Sequence, residues 1–132
     1  MIDPYLMNRL GNVGNKYQSV RKRVLCVCSA GLLRSPTAAW LLSQEPWDYN
    51  TRACGLVPEF ALIPFDQVLA TWANEIVCMT DDQSERVEKM LINWQLTTPV
   101  ISLNIPDVFG YRDPKLIQLI RDTYIAKEVK FP

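Results

Sequence analysis

The sequence predicts an α/β protein of three layers, in which helices cover both faces of a four-stranded parallel sheet. Short apolar runs of strand length alternate along the chain with segments whose apolar residues recur at helical spacing. Such alternation is typical of parallel sheets with right-handed crossovers, covered on both faces. At 132 residues the chain is expected to form one domain, residues 23–132, after an N-terminal extension, residues 1–22.

The first strand and the first helix have the clearest patterns. The run VLCVC, residues 24–28, is predicted to be a buried strand. The segment SPTAAWLLSQ, residues 35–44, predicts a helix that Ser35 can cap, with Pro36 suited to its first turn. The loop between them, residues 29–34, follows the carboxyl end of the strand, where ligands bind in folds of this kind.

The rest of the chain continues the alternation. Further elements are predicted in the order strand 49–54, helix 65–72, strand 75–79, a helix capped by Asp81 or Asp82, strand 99–103 and a helix starting at Asp113-Pro114. Trp40, Trp72 and Trp94 fall within helical patterns and are expected in the core.

Composition excludes several classes of function. The 14 basic and 14 acidic residues give a formal net charge of zero, which argues against a nucleic-acid partner. The basic run at residues 21–23 is expected to be a solvated flank of the first strand. No apolar stretch is long enough to span a bilayer, and the first ten residues lack a secretory pattern. A cytoplasmic protein without membrane association is therefore expected, and nothing predicts its oligomeric state.

The chain has four cysteines and no histidine. With no CxxC pair and no histidine, no zinc site is expected, and the missing histidine excludes Ser-His-Asp and Cys-His catalysis. No cofactor is expected. Cys26, Cys54 and Cys78 are expected to be packing residues. A bridge between Cys28 and Cys54 remains an alternative, because their strands should be neighbours.

The loop after the first strand has the composition of an anion site. Ser29, Ala30 and Gly31 are small enough for the backbone to curl its N–H groups inward, at the start of a helix. Arg34 adds a fork of donors that matches phosphate geometry. A thiol at Cys28 would be favoured as thiolate there, and a thiolate beside a phosphate is a nucleophile aimed at phosphorus.

The stretch VLCVCSAGLLRSPTAAWLL, residues 24–42, resembles the signature of low-molecular-weight protein tyrosine phosphatases, an apolar strand followed by Cys-x5-Arg-Ser-Pro. The similarity continues along residues 24–128 through three further stretches: Arg52-Ala53-Cys54-Gly55, Trp72-Ala73-Asn74-Glu75-Ile76-Val77 and Ile105-Pro106-Asp107. The resemblance implies the strand order 2-1-3-4, with a phosphate-binding loop after strand 1.

The resemblance also implies an activity. It is that of a metal-independent phosphomonoester hydrolase acting through a phosphocysteine intermediate on Cys28, with a phosphotyrosine protein or a small aryl phosphate as substrate. Arg34 would bind the equatorial oxygens, and Ser35 would donate a hydrogen bond to the thiolate. The implied phosphate-binding residues are Ser29, Ala30, Gly31, Leu32, Leu33, Arg34 and Ser35.

Two carboxylates near the fourth strand are candidates for the general acid. Asp113 precedes Pro114 and a helical run, so it is interpreted as an N-cap with proline at the first helical position. Asp107 follows the strand at the ligand end and has no such local role, and the Ile-Pro-Asp resemblance also favours it. Asp107 is therefore predicted to be the acid, with Asp113 as the alternative, because many family members show Asp-Pro where Val108 follows here.

Other positions also depart from the family pattern. Gly31 stands where many relatives have Asn, and Leu33 stands where many have a second cysteine, so an intraloop disulfide is unavailable. Phe109 and Tyr111 are candidates to flank a phenyl ring, with packing at the core or rim as the equal alternative.

Two other functions remain as alternatives. One is a phosphate-binding module that no longer turns over. The other is an arsenate reductase of the thioredoxin-coupled type, which would need two further cysteines after the third strand, where Cys78 stands alone.

Overall fold

A computed structural model describes residues 21–29, 34–57, 59, 61–106 and 108–128. The predicted N-terminal extension thus falls almost entirely outside the described residues. Within them, strands and helices alternate in the order β1 (Arg23–Cys28), α1 (Arg34–Leu42), β2 (Asn50–Gly55), α2 (Gln67–Trp72), β3 (Glu75–Cys78), α3 (Asp81–Asn93), β4 (Val100–Ser102) and α4 (Pro114–Glu128).

The four strands form one parallel sheet in the order β2-β1-β3-β4, which confirms the predicted topology. The central strand β1 ends with Cys28 in register with Gly55 of β2, while Val27 lies opposite Cys78 of β3. Because all strands run the same way, the loops after β1, β3 and β4 lie at one edge of the sheet. That edge is where the sequence predicts the phosphate site.

Alternate residues of β1 supply two apolar cores, one on each face of the sheet. Val24, Cys26 and Cys28 pack with α1 and α4, whereas Leu25 and Val27 pack with α2 and α3. All five are at most 3% exposed. Full burial of a valine or leucine side chain contributes about 1.5–3 kcal/mol, so burial on both faces anchors β1 firmly in the sheet. The predicted three-layer architecture is confirmed.

The helix starts correct the sequence predictions in two places. The N-cap of α3 is Thr80 rather than Asp81 or Asp82, because Thr80 and Gln83 form a reciprocal capping box. Helix α1 begins at Arg34, one residue before the predicted cap Ser35, whose hydroxyl is used inside the fold instead.

The predicted burial of three tryptophans is wrong. Trp40, Trp72 and Trp94 are only partly buried and pack against the rims of the two cores. Guanidinium groups cover two of the rings: Arg112 lies 4.2 Å from the Trp40 centroid, and Arg52 lies 4.4 Å from that of Trp72. These cation–π contacts suit a half-exposed indole.

The basic run at residues 21–23 is predicted to be a solvated flank, but only Arg21 is exposed, and Lys22 and Arg23 are partly buried. Lys22 forms an ion pair with the buried Glu75 at 2.8 Å, and Arg23 donates to the carbonyl oxygen of Trp72. Among the described residues, no helix has the length and apolar character needed to cross a membrane.

Candidate active site

Cys28 lies at the carboxyl end of the central strand and is 3% exposed. The backbone of Cys28 and of the next residue is held by the segment after β2. The Cys28 carbonyl accepts from the Leu56 N–H at 3.0 Å, and the Ser29 carbonyl accepts from the Val57 N–H at 2.9 Å. These bonds extend the sheet pairing into the loop and fix the position from which the thiol projects.

The hydroxyl of Ser35 lies against that thiol. Its oxygen is 3.1 Å from the sulfur of Cys28 and 3.2 Å from the carbonyl oxygen of Cys54, and Ser35 is completely buried. A hydroxyl has one proton to donate. With a thiol it can donate to Cys54 and accept from the sulfur, whereas with a thiolate it can turn and donate to the sulfur. The Ser35 hydroxyl can therefore form a hydrogen bond with Cys28 whether the sulfur is a thiol or a thiolate.

Arg34 begins α1, immediately after the loop, and only 4% of it is exposed. One guanidinium nitrogen donates to the carbonyl oxygen of Ile105 at 2.8 Å, beyond the end of β4. Burying a cation costs free energy unless polar groups bind it, and the Ile105 carbonyl is one such group. An arginine there, at the start of a helix, forms a positive environment suited to an oxyanion.

Gln83 is a part of the site that sequence reasoning missed. Its side-chain oxygen accepts from the N–H groups of Met79 at 3.0 Å and Thr80 at 3.1 Å, so its amide nitrogen must face the other way. That nitrogen donates to the hydroxyl of Ser29 at 3.2 Å. The Thr-x-x-Gln pattern at Thr80 is a capping-box signal visible in the sequence, but it does not reveal the contact with Ser29.

Five of the predicted site residues lie outside the described part of the chain: Ala30, Gly31, Leu32, Leu33 and Asp107. Asp113 is described, and it has the capping role that the sequence predicted. Its carboxylate accepts from the Lys115 N–H at 2.8 Å, and α4 begins at Pro114.

Comparison of the sequence with protein-family models gives no match, and comparison with curated proteins gives none either. Solved structures do match. The YwlE arginine phosphatase from Geobacillus stearothermophilus is 18% identical, over 85% of this chain and 98% of its own, with a TM-score of 0.60. The tyrosine phosphatase Wzb from Escherichia coli K30, in complex with phosphate, is 16% identical over 86% and 100%, with a TM-score of 0.61.

A third match is SP-PTP, a low molecular weight protein tyrosine phosphatase from Streptococcus pyogenes. It is 14% identical over 84% of this chain and 93% of its own, with a TM-score of 0.59. This chain has the low-molecular-weight phosphatase fold. The predicted resemblance is thereby confirmed for the fold, and the roles of individual residues rest on the geometry of this chain.

The two aromatic side chains that follow β4, Phe109 and Tyr111, have different surroundings. Phe109 is partly buried and packs against the core formed with α1 and α4, whereas Tyr111 is 48% exposed. The Tyr111 hydroxyl accepts from the side chain of Arg112 at 3.0 Å. Packing thus accounts for Phe109, and a substrate-flanking role for either residue stays a prediction.

The remaining three cysteines are core residues of the phosphatase fold, and none of the four forms a disulfide. Burial raises the pKa of the Cys26 and Cys54 thiols well above the usual value, and it raises the pKa of Cys78 to about 12. These three are therefore neutral thiols at physiological pH. The described residues contain no group of three or more cysteine and acidic side chains placed to hold a metal ion.

Proposed function

We propose that this protein is a phosphomonoester hydrolase, of the protein tyrosine phosphatase type, that uses Cys28 as its nucleophile. The domain that carries the activity would be residues 23–132, and the loop from Ser29 to Ser35 would bind the phosphate. A chemistry that needs a reduced thiol suits a reducing compartment, so we place the protein in the cytoplasm.

The observation that carries this proposal is the contact between Cys28 and Ser35, 3.1 Å apart at the start of a helix. A buried hydroxyl that can donate to a sulfur has an obvious use if the sulfur is ionised, since charged acceptors form the stronger hydrogen bonds. Arg34, buried at the same loop, supplies the cation that attracts phosphate.

In the first step the Cys28 thiolate attacks phosphorus, an S–P bond forms and the ester P–O bond breaks. Asp107, as the general acid, gives its proton to the leaving oxygen, while Arg34 and the loop N–H groups bind the equatorial oxygens. In the second step water attacks phosphorus, Asp107 takes the proton and the S–P bond breaks. Inorganic phosphate leaves and the thiolate is restored.

The substrate class we propose is an aryl phosphate, either a phosphotyrosine protein or a small molecule. Tyr111 follows β4 and is 48% exposed, which supports our proposal that it contacts the flat ring of the substrate. Among the similar structures, one is described as a tyrosine phosphatase and another as an arginine phosphatase. A phosphoarginine peptide is therefore the natural competitor in substrate assays.

The arsenate reductase alternative is disfavoured by the position of Cys78. A disulfide relay needs accessible thiols of lowered pKa, whereas Cys78 is fully buried in β3 and its pKa is raised to about 12. A binding module without turnover would need no hydroxyl to stabilise an ionised sulfur, so the Ser35 contact favours the enzyme.

The test is hydrolysis of p-nitrophenyl phosphate by the wild-type chain, by Cys28→Ser and by Cys78→Ala as a matched control. We expect turnover in the wild type and the control, none in Cys28→Ser, and a covalent phosphoryl group on Cys28 after rapid quenching. Turnover that persists in Cys28→Ser would overturn the proposal. Binding of inorganic phosphate by both chains, without turnover in either, would establish the binding module.

A further inference from the structure

The segment from Ile105 to Arg112, which we call the acid strap because it carries Asp107, is tied to α1 at both ends. At its start, the Ile105 carbonyl accepts from the Arg34 guanidinium at 2.8 Å. At its end, the Arg112 N–H donates to the hydroxyl oxygen of Thr37 at 2.9 Å. Arg34 and Thr37 are three residues apart and so lie on one side of α1, a single turn from the phosphate loop.

The start of the acid strap is also tied to the sheet. The Ile105 N–H donates to the carbonyl of Met79 at 2.6 Å, and the Ile105 side chain is fully buried. This end therefore has two main-chain attachments and an apolar anchor. The far half is attached by Phe109, which packs against the core, by the contact of Arg112 with Trp40 and by the hydrogen bond to Thr37.

Thr37 is a fully buried threonine in the interior of α1. Its hydroxyl oxygen accepts a hydrogen bond from the backbone N–H of Arg112, 75 positions later in the chain. A long-range main-chain bond to a buried side chain fixes where that backbone can lie.

Arg112 has a conformation that needs such support. Its φ is 58°, in the left-handed region that residues with a side chain rarely adopt. Its guanidinium lies 4.2 Å from the Trp40 ring centroid, and Trp40 is three residues after Thr37 on the same side of α1. The turn that ends the acid strap is thus held to α1 by one hydrogen bond and one stacked cation.

We propose that Thr37 is a positioning residue for the general acid, because its bond to Arg112 holds the far end of the acid strap against α1. This inference rests on the proposed function and on Asp107 as the acid. Displacement of a reacting group by about 1 Å can reduce a rate 100-fold. A released strap end would therefore weaken proton transfer, while the contact between Cys28 and Ser35, which Thr37 does not make, would remain.

The dependence of kcat/KM on the leaving group separates this role from a general loss of structure. p-Nitrophenolate leaves without much help from an acid, whereas phenolate needs a proton. For Thr37→Val we expect kcat/KM on phenyl phosphate to fall about tenfold or more, a part of the 10²–10⁴-fold that general acids contribute. On p-nitrophenyl phosphate it should fall by less than about threefold, and Thr37→Ser should restore both values.

Thr51 provides a matched control. It is another fully buried threonine bonded to α1, since its hydroxyl donates to the Ala39 carbonyl at 2.7 Å, but among the described residues it makes no hydrogen bond to the acid strap. Thr51→Val should lower the melting temperature while the ratio between the two substrates stays at the wild-type value. If Thr37→Val does not fold, Thr37→Ala removes the same acceptor without the branched side chain.

A double-mutant cycle with Asp107→Asn completes the test. If Thr37 acts through the acid, Thr37→Val should have little further effect on phenyl phosphate hydrolysis in the Asp107→Asn background. An equal loss on both substrates, or the same loss with and without Asp107, would overturn the inference while leaving the proposed function intact. Absence of Cys28-dependent turnover in the wild type would instead remove the proposed function itself.

Discussion

The side-chain amide of Gln83 donates to the hydroxyl of Ser29, 54 positions earlier in the chain, at 3.2 Å. The same amide closes the capping box of α3 with Thr80. One side chain therefore joins the start of a helix on one face of the sheet to Ser29, the first residue of the loop that we propose binds phosphate. The amide oxygen bonds the start of the helix and the amide nitrogen bonds Ser29, so the two contacts can be tested separately.

Substitution of Gln83 should separate them. Gln83→Met loses the acceptor for the Met79 and Thr80 N–H groups, so we expect about 1–3 kcal/mol less stability in urea unfolding. Gln83→Glu keeps the acceptor and should change stability by less than about 1 kcal/mol, but its carboxylate faces Ser29 and should weaken vanadate binding about tenfold. Gln67→Glu, the same charge change on an exposed residue, should leave vanadate binding unchanged. Equal vanadate affinity in Gln83→Glu and the wild type would contradict the assigned contact.

Ser35→Ala should impair the chemistry more than the fold. A hydrogen bond to a charged group contributes about 1.5–3 kcal/mol, so we expect kcat/KM on p-nitrophenyl phosphate to fall roughly 10- to 100-fold. Ser43→Ala is the matched control, because Ser43 is a buried serine at the other end of α1 that donates to the Trp40 carbonyl at 2.6 Å. Steady-state kinetics of both variants give the comparison. A similar fall in kcat/KM for Ser35→Ala and Ser43→Ala would argue against a role of Ser35 at the Cys28 sulfur.

The elements of this fold could be predicted because their signals are local. Five apolar residues in a row predict a strand buried on both faces, and β1 is that strand. The Asp113-Pro114 pair predicts the start of a helix, and α4 begins there. In each case the signal is contained in a few consecutive residues, so it can be recognised from the sequence alone.

What the sequence did not reveal depends on contacts between distant residues. The Ser29–Gln83 and Thr37–Arg112 bonds each join residues more than 50 positions apart, and neither leaves a periodic pattern. The burial of Trp47 is also not visible in the sequence pattern. Trp47 lies in a turn after α1, yet it is 6% exposed and packs edge-on against the Tyr124 ring. The helical tryptophans looked more like core residues and lie at the rims.

Substitution of Asp107 should lower the rate of hydrolysis, whereas substitution of Asp113 should lower the stability of the fold. Asp107→Asn should lower kcat/KM on phenyl phosphate about 10²–10⁴-fold, because the amide cannot give up a proton. Asp113→Asn keeps a side-chain oxygen for the Lys115 N–H and should leave activity near the wild-type value. Asp113→Ala removes the cap and should lower the stability by about 0.5–2 kcal/mol. The choice of Asp107 fails if Asp113→Asn abolishes hydrolysis and Asp107→Asn does not.

The thiols should differ sharply in reactivity. Since burial raises the pKa values of Cys26 and Cys54, and that of Cys78 to about 12, these three carry their protons at pH 7.5 and react slowly with iodoacetate. Cys28 should react first, and inorganic phosphate should protect it by occupying the loop. Peptide mass spectrometry identifies the modified residue, with the chain in guanidinium as the control in which all four react. First modification at Cys78, or no protection by phosphate, would contradict the proposed site.

The buried carboxylate of Glu75 should matter for stability and not for catalysis. It accepts from the fully buried Tyr124 hydroxyl at 2.8 Å and pairs with Lys22, and its register opposite Val24 places it about 13 Å along the sheet from Cys28. Tyr124→Phe leaves part of a buried carboxylate without a donor, so unfolding should need about 1–3 kcal/mol less free energy.

Lys22→Met provides the comparison for Tyr124→Phe. It removes a cation whose side chain is 35% exposed and should lower the stability by only about 0–1 kcal/mol. Urea unfolding and p-nitrophenyl phosphate kinetics on both variants test the assignment. A larger loss of stability for Lys22→Met than for Tyr124→Phe would contradict the small contribution assigned to the Lys22 ion pair. A fall in kcat/KM for Tyr124→Phe would contradict the assignment of Glu75 to stability alone.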